Sequence, residues 1–289
     1  MNTSSDPNEK NAIIGGTLYL VATPIGNMSD ISSRTLKVLE NVDFIAAEDT
    51  RNTGLLLSRL GIKKQLVSYY EQNKKESGPK IIEKLKSGFS CALVTDAGMP
   101  GISDPGSDLV RLCETHSVPV TCVPGACAAV TALSISGLDT SRFVFEGFLP
   151  TRSKDRKETL EEDSKERGSI IIYEAPHRLK KTLNDLFEAF GNRKIAICRE
   201  LTKLNEEVIR TSLSEATEIY STLEPKGEYV LVIEGCGKSS QNDWSDMTIE
   251  EHVNFYMKLG DDKMSAMKKV AKDRGIGKSE IYSAMIKNN

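Results

Sequence analysis

The sequence predicts an α/β protein with two α/β domains and a small helical C-terminal tail. Between residues 17 and 125, short runs of β-branched residues alternate with longer amphipathic segments, as in strands that are separated by helices. A second series follows up to residue 235, and short loops separate its later strands. We therefore expect a disordered segment at 1–15, α/β domains at 16–138 and 139–236, and a linker with a helical domain at 237–289.

The first series predicts five strands of a largely parallel sheet: TLYLVAT, DFIAAED, QLVSYY, SCALVTDAG and VPVTCVPG. The segment from Ser29 to Val42 is the first crossover helix, with Ser29 or Asp30 available as its N-cap. It places its apolar side chains at helical spacing, so we expect it to cover one face of the sheet.

The second series predicts strands at RFVFEGFLP, SIIIYEAP, KIAICRELT, EEVIRTSL and EYVLVIEG. A strongly charged helix from Ser153 to Arg167 and an amphipathic helix from Leu179 to Phe190 separate the first three of them. Short loops between the later strands favour some antiparallel pairing. A Ser/Gly/Asp/Thr cluster at 137–142 marks the expected domain boundary.

The C-terminal segment from Met264 to Ile286 is typical of two helices around a Gly275-Ile276-Gly277 turn, with Ser279 as a possible cap. This pattern is similar to a helix-turn-helix, so a DNA-binding regulator is an alternative function from another class. We expect the tail to serve an RNA substrate instead. Its basic residues offer a phosphate-binding surface: Lys268, Lys269, Lys272, Arg274, Lys278 and Lys287.

Composition excludes several functional classes. A net charge of -3 argues against a general nucleic-acid binder, so any RNA contact must be local. No apolar run is long enough to span a bilayer and no secretion signal is present, which predicts a cytoplasmic protein without a membrane span. The cysteines lack metal-binding or disulfide spacing and are expected to be reduced: Cys91, Cys113, Cys122, Cys127, Cys198 and Cys236.

Three loops that follow predicted strands indicate a ligand site: Thr23–Asn27, Leu93–Gly106 and Val123–Leu133. Ligands of open α/β sheets bind at the carboxyl ends of strands, and glycine allows the backbone to approach a ligand closely. Ordinary turns and close helix-on-sheet packing are the alternatives for the first and third loops. No phosphate loop or G-x-G-x-x-G motif is present, which favours a nucleotide-like ligand without a pyrophosphate.

Together with these loops, the motifs EDTR (48–51), EGFLP (146–150), YEAPHR (173–178), RELTK (199–203) and KGEYVLVIEG (226–235) resemble the tetrapyrrole-methylase superfamily, most closely its ribosomal RNA methyltransferase branch. The resemblance implies two α/β domains with an S-adenosylmethionine cleft between them. It implies methyl transfer to the 2′-oxygen of a cytidine in the decoding region of 16S rRNA, in the 30S subunit, by a homodimer that needs no metal.

The resemblance also assigns cofactor-binding residues. One position departs from the branch, because Met99 stands where threonine is more common, and a lost hydroxyl there would remove one cofactor contact. The positions that match the cofactor loops of the family are Pro24, Ala97, Gly98, Met99, Ile102, Cys127, Ala128, Tyr173, Glu174, Gly227 and Glu228.

A ribose hydroxyl is a poor nucleophile while it is protonated, so a nearby carboxylate is expected to act as general base. Glu48, Asp49 and Glu146 are the candidates. A helix-capping carboxylate pair beside a surface arginine is the alternative for the first two. His177 opens a predicted helix, and we interpret it as a capping or packing residue.

RNA phosphates require exposed cations. The candidates are Arg51, in the same motif as Glu48, and the basic stretch that contains Arg152, Lys154 and Arg156. A solvated helix start explains the basic stretch equally well. Within the enzyme class, a C-methyltransferase acting on a cobalamin or sirohaem precursor is the alternative function, because it would use the same cofactor cleft.

Overall fold

The computed structural model describes residues 12–104, 106–236, 247–258, 261–274, 276–277, 280–281 and 284–285. The chain divides into two compact units, residues 1–235 and 236–289. Residues 1–11 of the predicted disordered segment and 237–246 of the predicted linker lie outside the described residues.

The first sheet confirms the five predicted strands, and every neighbouring pair in it is parallel. Its order is β3-β2-β4-β1-β5, with the strands at Leu18–Val21 (β1), Phe44–Ala47 (β2), Gln65–Ser68 (β3), Cys91–Val94 (β4) and Val120–Val123 (β5). The helices that connect these strands are Ser33–Asn41 (α1), Thr50–Arg59 (α2), Lys74–Lys86 (α3) and Gly106–Thr115 (α4).

The N-cap of α1 differs from the prediction. Ser29 and Asp30 belong to a short 3-10 turn, and α1 begins after Ser32, whose side chain accepts a hydrogen bond from the Thr35 amide. Because Val38 and Leu39 of α1 pack in the apolar cluster on one face of the sheet, the helix covers that face as expected. The opposite face packs against α3 and α4 through Ile81, Leu85 and Leu109, among other side chains.

The second sheet also confirms its predicted strands, and it is mixed. β6 (Phe143–Phe148) pairs with β7 (Ser169–Glu174) in parallel, whereas the remaining pairs are antiparallel. Its order is β6-β7-β10-β8-β9, with β8 at Lys194–Arg199, β9 at Glu207–Ser212 and β10 at Tyr229–Ile233. One face is covered by α6 (Ser153–Asp163), α7 (Pro176–Phe190) and α8 (Leu213–Thr222).

The other face of the second sheet is covered by α5 (Ala128–Ser136), a helix that precedes the predicted domain boundary. Ala132 and Leu133 of α5 pack with Ile171, Ala196 and Val232 of the sheet. Both sheets lie in one compact unit, so the boundary between residues 138 and 139 stays a prediction.

The C-terminal unit contains two described helices, α9 (Ile249–Lys258) and α10 (Lys263–Arg274). They share an apolar core around Val253 and Val270, which Ile281 joins. The structure adds α9 to the predicted helical tail. Gly275, Ser279, Lys278 and Lys287 lie outside the described residues, so the predicted turn and second helix are described only in part.

The buried position of Arg156 in α6 corrects its assignment as an RNA ligand. Its side chain is 6% exposed, and its Nε donates to Asp185 Oδ2 at 2.6 Å while Nη2 donates to Thr182 Oγ1 at 2.8 Å. Arg156 lies one turn before the buried Leu160, on the face of α6 that packs against α7. Lys154 lies on another face of the helix and Arg152 is the N-cap that precedes it, and both side chains are 85% exposed. Arg156 therefore joins α6 to α7.

We predict that Arg156→Ala lowers the free energy of unfolding by about 2–3 kcal/mol, because it removes charged hydrogen bonds and leaves Asp185 without its partner. Chemical denaturation followed by circular dichroism measures the change. Arg152→Ala is the matched control. The Arg152 side chain is exposed and its Nε lies 3.9 Å from Asp155 Oδ2, too far for a hydrogen bond, so the substitution should leave stability unchanged. Equal stabilities of the two variants would contradict the structural role of Arg156.

Candidate functional site

An apolar cavity of about 400 Å³ lies where the carboxyl ends of β1, β2 and β4 meet the second sheet. From the first sheet, it is lined by Ile25 after β1, Glu48 after β2 and residues 97–99 after β4. The second sheet contributes Phe148 from the end of β6 and Val230 from β10. A largely apolar cavity of this size, with polar side chains such as Glu48 and Glu228 at its wall, suits a small organic ligand.

A two-residue bridge joins the loops that form the floor of this cavity. The amide of Thr23 donates to the Gly98 carbonyl at 2.9 Å, and the amide of Gly98 donates to the Thr23 carbonyl at 3.1 Å. Gly98 has a φ of +86°, and a Cβ atom built there would lie 3.2 Å from Ile25 Cγ2. Glycine is required because this backbone conformation is strained for other residues and the space is already filled.

Most of the predicted cofactor residues meet at this cavity. Pro24 and Gly227 do not line it: each precedes a lining residue, Ile25 or Glu228, and Gly227 adopts a φ of +88° against the Glu200 side chain. The predicted residues that line the cavity are Ala97, Gly98, Met99, Ile102, Cys127, Ala128, Tyr173, Glu174 and Glu228.

Tyr173 and Glu174 also form hydrogen bonds that connect the elements of the cavity wall. The Tyr173 hydroxyl accepts a hydrogen bond from the Ala129 amide at 3.1 Å, which ties β7 to the start of α5. Burial raises the pKa of Tyr173 to about 12, so the phenol stays protonated. Glu174 is buried, and it accepts hydrogen bonds from Thr182 and from the Ala175 amide.

Sequence reasoning missed several lining residues. Thr95 and Phe148 stand inside motifs that were already singled out, LVTDAG and EGFLP, so those motifs signalled them. Leu201 and Val230 also stand inside quoted motifs, RELTK and KGEYVLVIEG, whereas Cys198 comes from β8 of the second sheet. Their neighbourhood depends on which strands pair, and no local pattern records that pairing.

A second, polar cavity of about 930 Å³ adjoins the first. It lies at the carboxyl ends of β2, β3 and β4, and it shares Glu48, Ser103 and Asp104 with the apolar cavity. Asp104 has a structural role there, because its Oδ1 accepts from the amides of Gly101 and Gly106 at 2.8 Å each. Molecules in the two cavities would therefore contact the same wall.

Glu48 is the candidate general base that lines both cavities. Its Oε2 accepts a hydrogen bond from Thr95 Oγ1 at 2.6 Å and a long one from the Asp96 amide at 3.5 Å. Thr23 Oγ1 in turn donates to the Thr95 carbonyl at 3.2 Å. These contacts fix the carboxylate and, among the described residues, leave Oε1 available to a ligand.

Asp49 is less suited to proton transfer. It is the N-cap of α2, and both of its carboxylate oxygens bind the Arg51 guanidinium, at 3.1 Å to Nε and 2.6 Å to Nη2. The hydrogen bonds from Arg51 lower the pKa of Asp49 to about 2, which makes it a weak base. The helix-capping alternative therefore describes Asp49, while the Arg51 side chain remains 87% exposed at the polar cavity.

Glu146, the third candidate base, does not line either cavity. It lies at a bulge in β6 beside Asp163 of α6, where the register shifts between Phe145 and Gly147. Burial and the neighbouring Glu146 raise the pKa of Asp163 to about 7. The two carboxyl groups therefore interact with each other. Because Glu146 lines neither cavity, it would not contact a substrate bound in them.

Within the described residues, no group of histidine, cysteine, aspartate and glutamate side chains has the geometry of a metal site. No helix among them is long and apolar enough to cross a membrane. His177 is exposed and does not line either cavity.

Comparison with known proteins identifies the family. Residues 17–217 match the model of the tetrapyrrole (corrin/porphyrin) methylases. The chain is 47% identical to a ribosomal RNA small subunit methyltransferase I from Halalkalibacterium halodurans, over 93% of this chain and 94% of that protein. It is 46% identical to the protein of the same name from Bacillus subtilis, with the same coverage.

Solved structures agree on the fold. A uroporphyrin-III C-methyltransferase from Thermus thermophilus, complexed with S-adenosylhomocysteine, superposes with a TM-score of 0.55 at 15% identity, over 75% of this chain and 97% of that one. At this identity the likeness concerns the fold alone. The family match and the high identity to full-length relatives confirm the resemblance in the motifs: the chain belongs to the tetrapyrrole methylase family, in the branch of its ribosomal RNA small subunit methyltransferase I relatives.

Proposed function

We propose that this chain is an S-adenosylmethionine-dependent methyltransferase that methylates the ribose 2′-hydroxyl of a cytidine in small-subunit ribosomal RNA. The observation that carries the proposal is Glu48, a carboxylate fixed by Thr95 on the wall between an apolar and a polar cavity. The names of relatives that are 46–47% identical over nearly the whole chain support the RNA substrate.

The apolar cavity fits S-adenosylmethionine. Its walls combine apolar side chains such as Ile25 and Val230 with the backbone of Ala97 and Met99, on either side of the bridged Gly98, which can hydrogen-bond a nucleoside and an amino acid group. Gly98 keeps this backbone open, because a Cβ atom there would meet Ile25. When bound, the cofactor supplies a methyl group on a sulfonium, which is already an activated leaving group.

Glu48 supplies the acid-base chemistry of the chain, and Thr95 positions its carboxylate. A ribose hydroxyl in the polar cavity lies within reach of Glu48, and Oε1 accepts its proton as the oxygen becomes a nucleophile. The hydrogen bond from Thr95 keeps the carboxylate in place, so that the hydroxyl is aligned before it reacts. Tight alignment of the reacting groups is the main contribution of the protein.

Exposed cations bind the RNA backbone in this proposal. Arg51 lies at the polar cavity, and Arg152 and Lys154 lie at the exposed start of α6. The proposal includes the 30S subunit as the form in which the RNA is presented, a homodimer as the active form, and an RNA-positioning role for the C-terminal helices.

The substrate class is tested directly. The protein is incubated with labelled S-adenosylmethionine and either undermethylated 30S subunits, a sirohaem precursor or a pool of DNA fragments. Label in a 2′-O-methylcytidine of the small-subunit RNA is the expected result. Label in the tetrapyrrole, or sequence-selective DNA capture without RNA methylation, would replace the proposal with one of the alternatives.

We predict that Gly98→Val weakens S-adenosylmethionine binding by about tenfold or more, because strain at a positive φ and contact with Ile25 displace the cavity floor. Calorimetry on EDTA-treated protein measures the affinity. Gly61→Val is the matched control: its φ of +72° imposes similar strain, but nothing lies within 4 Å of its added Cβ, so binding should persist. Equal affinities of both variants would place the cofactor elsewhere.

We predict that Glu48→Gln lowers the methyl-transfer rate by about 10²–10⁴-fold, because the amide cannot accept the hydroxyl proton. Thr95→Val should lower the rate by a smaller factor, since it removes the hydrogen bond to Oε2, whereas Thr95→Ser keeps the hydroxyl and the activity. Single-turnover methylation of 30S subunits at saturating cofactor measures all three. A Glu48→Gln rate close to that of the unmodified protein would exclude Glu48 as the base.

A further inference from the structure

The polar cavity contains more acceptors than a phosphate site tolerates. Among its described lining residues, Glu48, Asp49, Glu71, Asp96 and Asp104 carry carboxylates, and Arg51 is the one cation. Because like charges repel, this interior disfavours phosphate groups and favours hydrogen-bond donors. A nucleotide would therefore enter with its sugar and base inside and its phosphates at the rim, near the exposed Arg51.

Most of these carboxylates already have partners. Asp49 binds Arg51, Asp104 binds two backbone amides, and Glu71 lies 2.7 Å from Lys74. Glu48 is assigned to the ribose hydroxyl. Asp96 is the remaining carboxylate: among the described residues no ion pair is formed by it, and a side-chain amide binds one of its two oxygens.

Asp96 is held in one orientation. Its Oδ2 accepts a hydrogen bond from Asn52 Nδ2 at 2.8 Å, and its amide points to Glu48 Oε2 at 3.5 Å. Among the described residues, no hydrogen bond reaches its Oδ1. This oxygen is an oriented acceptor on the wall that also carries Glu48.

The same cavity has an aromatic wall. Tyr70 follows β3, lines the polar cavity and is 38% exposed. Its backbone is fixed, because its amide donates to Asn73 Oδ1 at 2.8 Å. An exposed aromatic ring in a polar cavity is a stacking platform for an unpaired base.

We propose that the polar cavity takes the target nucleotide with its base turned out of the RNA, and that Asp96, oriented by Asn52, identifies cytosine by accepting a hydrogen bond from its 4-amino group. The inference rests on the proposed function and names the base-reading residue of that site. Carboxylates accept a hydrogen bond from the cytosine amino group in nucleic-acid recognition, whereas the 4-oxo group of uracil is itself an acceptor and would face the carboxylate with no proton between them. Tyr70 stacks on the base while Glu48 faces the ribose.

The test compares two RNAs that differ at one base. Small subunits are reconstituted with a transcript that carries either cytidine or uridine at the methylated position, mapped first by mass spectrometry. The unmodified protein should methylate the cytidine form faster by about tenfold or more. Asp96→Asn offers an amide that can donate to the uracil 4-oxo group, so it should slow the cytidine reaction, accelerate the uridine reaction and bring their ratio toward one.

Control measurements separate the possible failures. Glu76→Gln removes an exposed carboxylate of α3 that pairs with Lys80 outside both cavities, and it should leave the cytidine preference unchanged. Asp96→Asn should also bind S-adenosylmethionine with unchanged affinity, because Asp96 does not line the apolar cavity; calorimetry thus checks that the variant is folded.

Three results are decisive. No methylation of either RNA by the unmodified protein would refute the proposed function, and this inference with it. Normal methylation with the same cytidine-to-uridine ratio in Asp96→Asn would overturn the base-reading role alone. An Asp96→Asn variant that binds cofactor normally but methylates neither RNA would also overturn it, because a residue that reads the base changes the preference rather than abolishing the reaction.

Discussion

Two backbone hydrogen bonds between Thr23 and Gly98 connect the loops that follow β1 and β4, and the site depends on them. They set the floor of the apolar cavity, and they require glycine at position 98 because its φ is +86°. Further hydrogen bonds connect these loops to the wall of the second cavity. Thr23 Oγ1 donates to the Thr95 carbonyl, and Thr95 Oγ1 donates to Glu48 Oε2. A single chain of hydrogen bonds thus relates the cofactor loop to the proposed base.

Local patterns predicted the ten strands and most of the loops that line the apolar cavity, because strand periodicity and glycine-rich turns are properties of short segments. The N-terminal signal of α9 was also readable. Thr248 and Glu251 exchange hydrogen bonds between side chain and backbone, the T-x-x-E pattern that begins many helices, but the polar stretch before it suggested a linker.

Tertiary neighbours could not be predicted in the same way. Nothing in the basic stretch distinguishes Arg156, which meets Asp185 of α7, from Arg152, which meets solvent. Likewise, Asp49 and Glu48 are adjacent in the chain, yet Arg51 binds one and Thr95 orients the other. Asp96 was overlooked because its significance depends on a cavity formed by three strand ends, and only the sheet order β3-β2-β4 brings these ends together.

The fold separates two tasks that a methyltransferase of this family must perform. Gly98 and the apolar side chains of both sheets form the cavity that we propose for the methyl donor, and the fold that contains it is shared with a tetrapyrrole enzyme at only 15% identity. The polar cavity is built by the loops after β2, β3 and β4, and the loops after β2 and β3 contribute side chains that lie outside the bridge between Thr23 and Gly98. In our proposal, substrate class depends on side chains such as Asp96 and Tyr70, which the ends of the strands present to the polar cavity. In our proposal an acidic protein acts on RNA because phosphate binding is confined to the rim of the polar cavity, while the interior of the cavity selects a nucleoside.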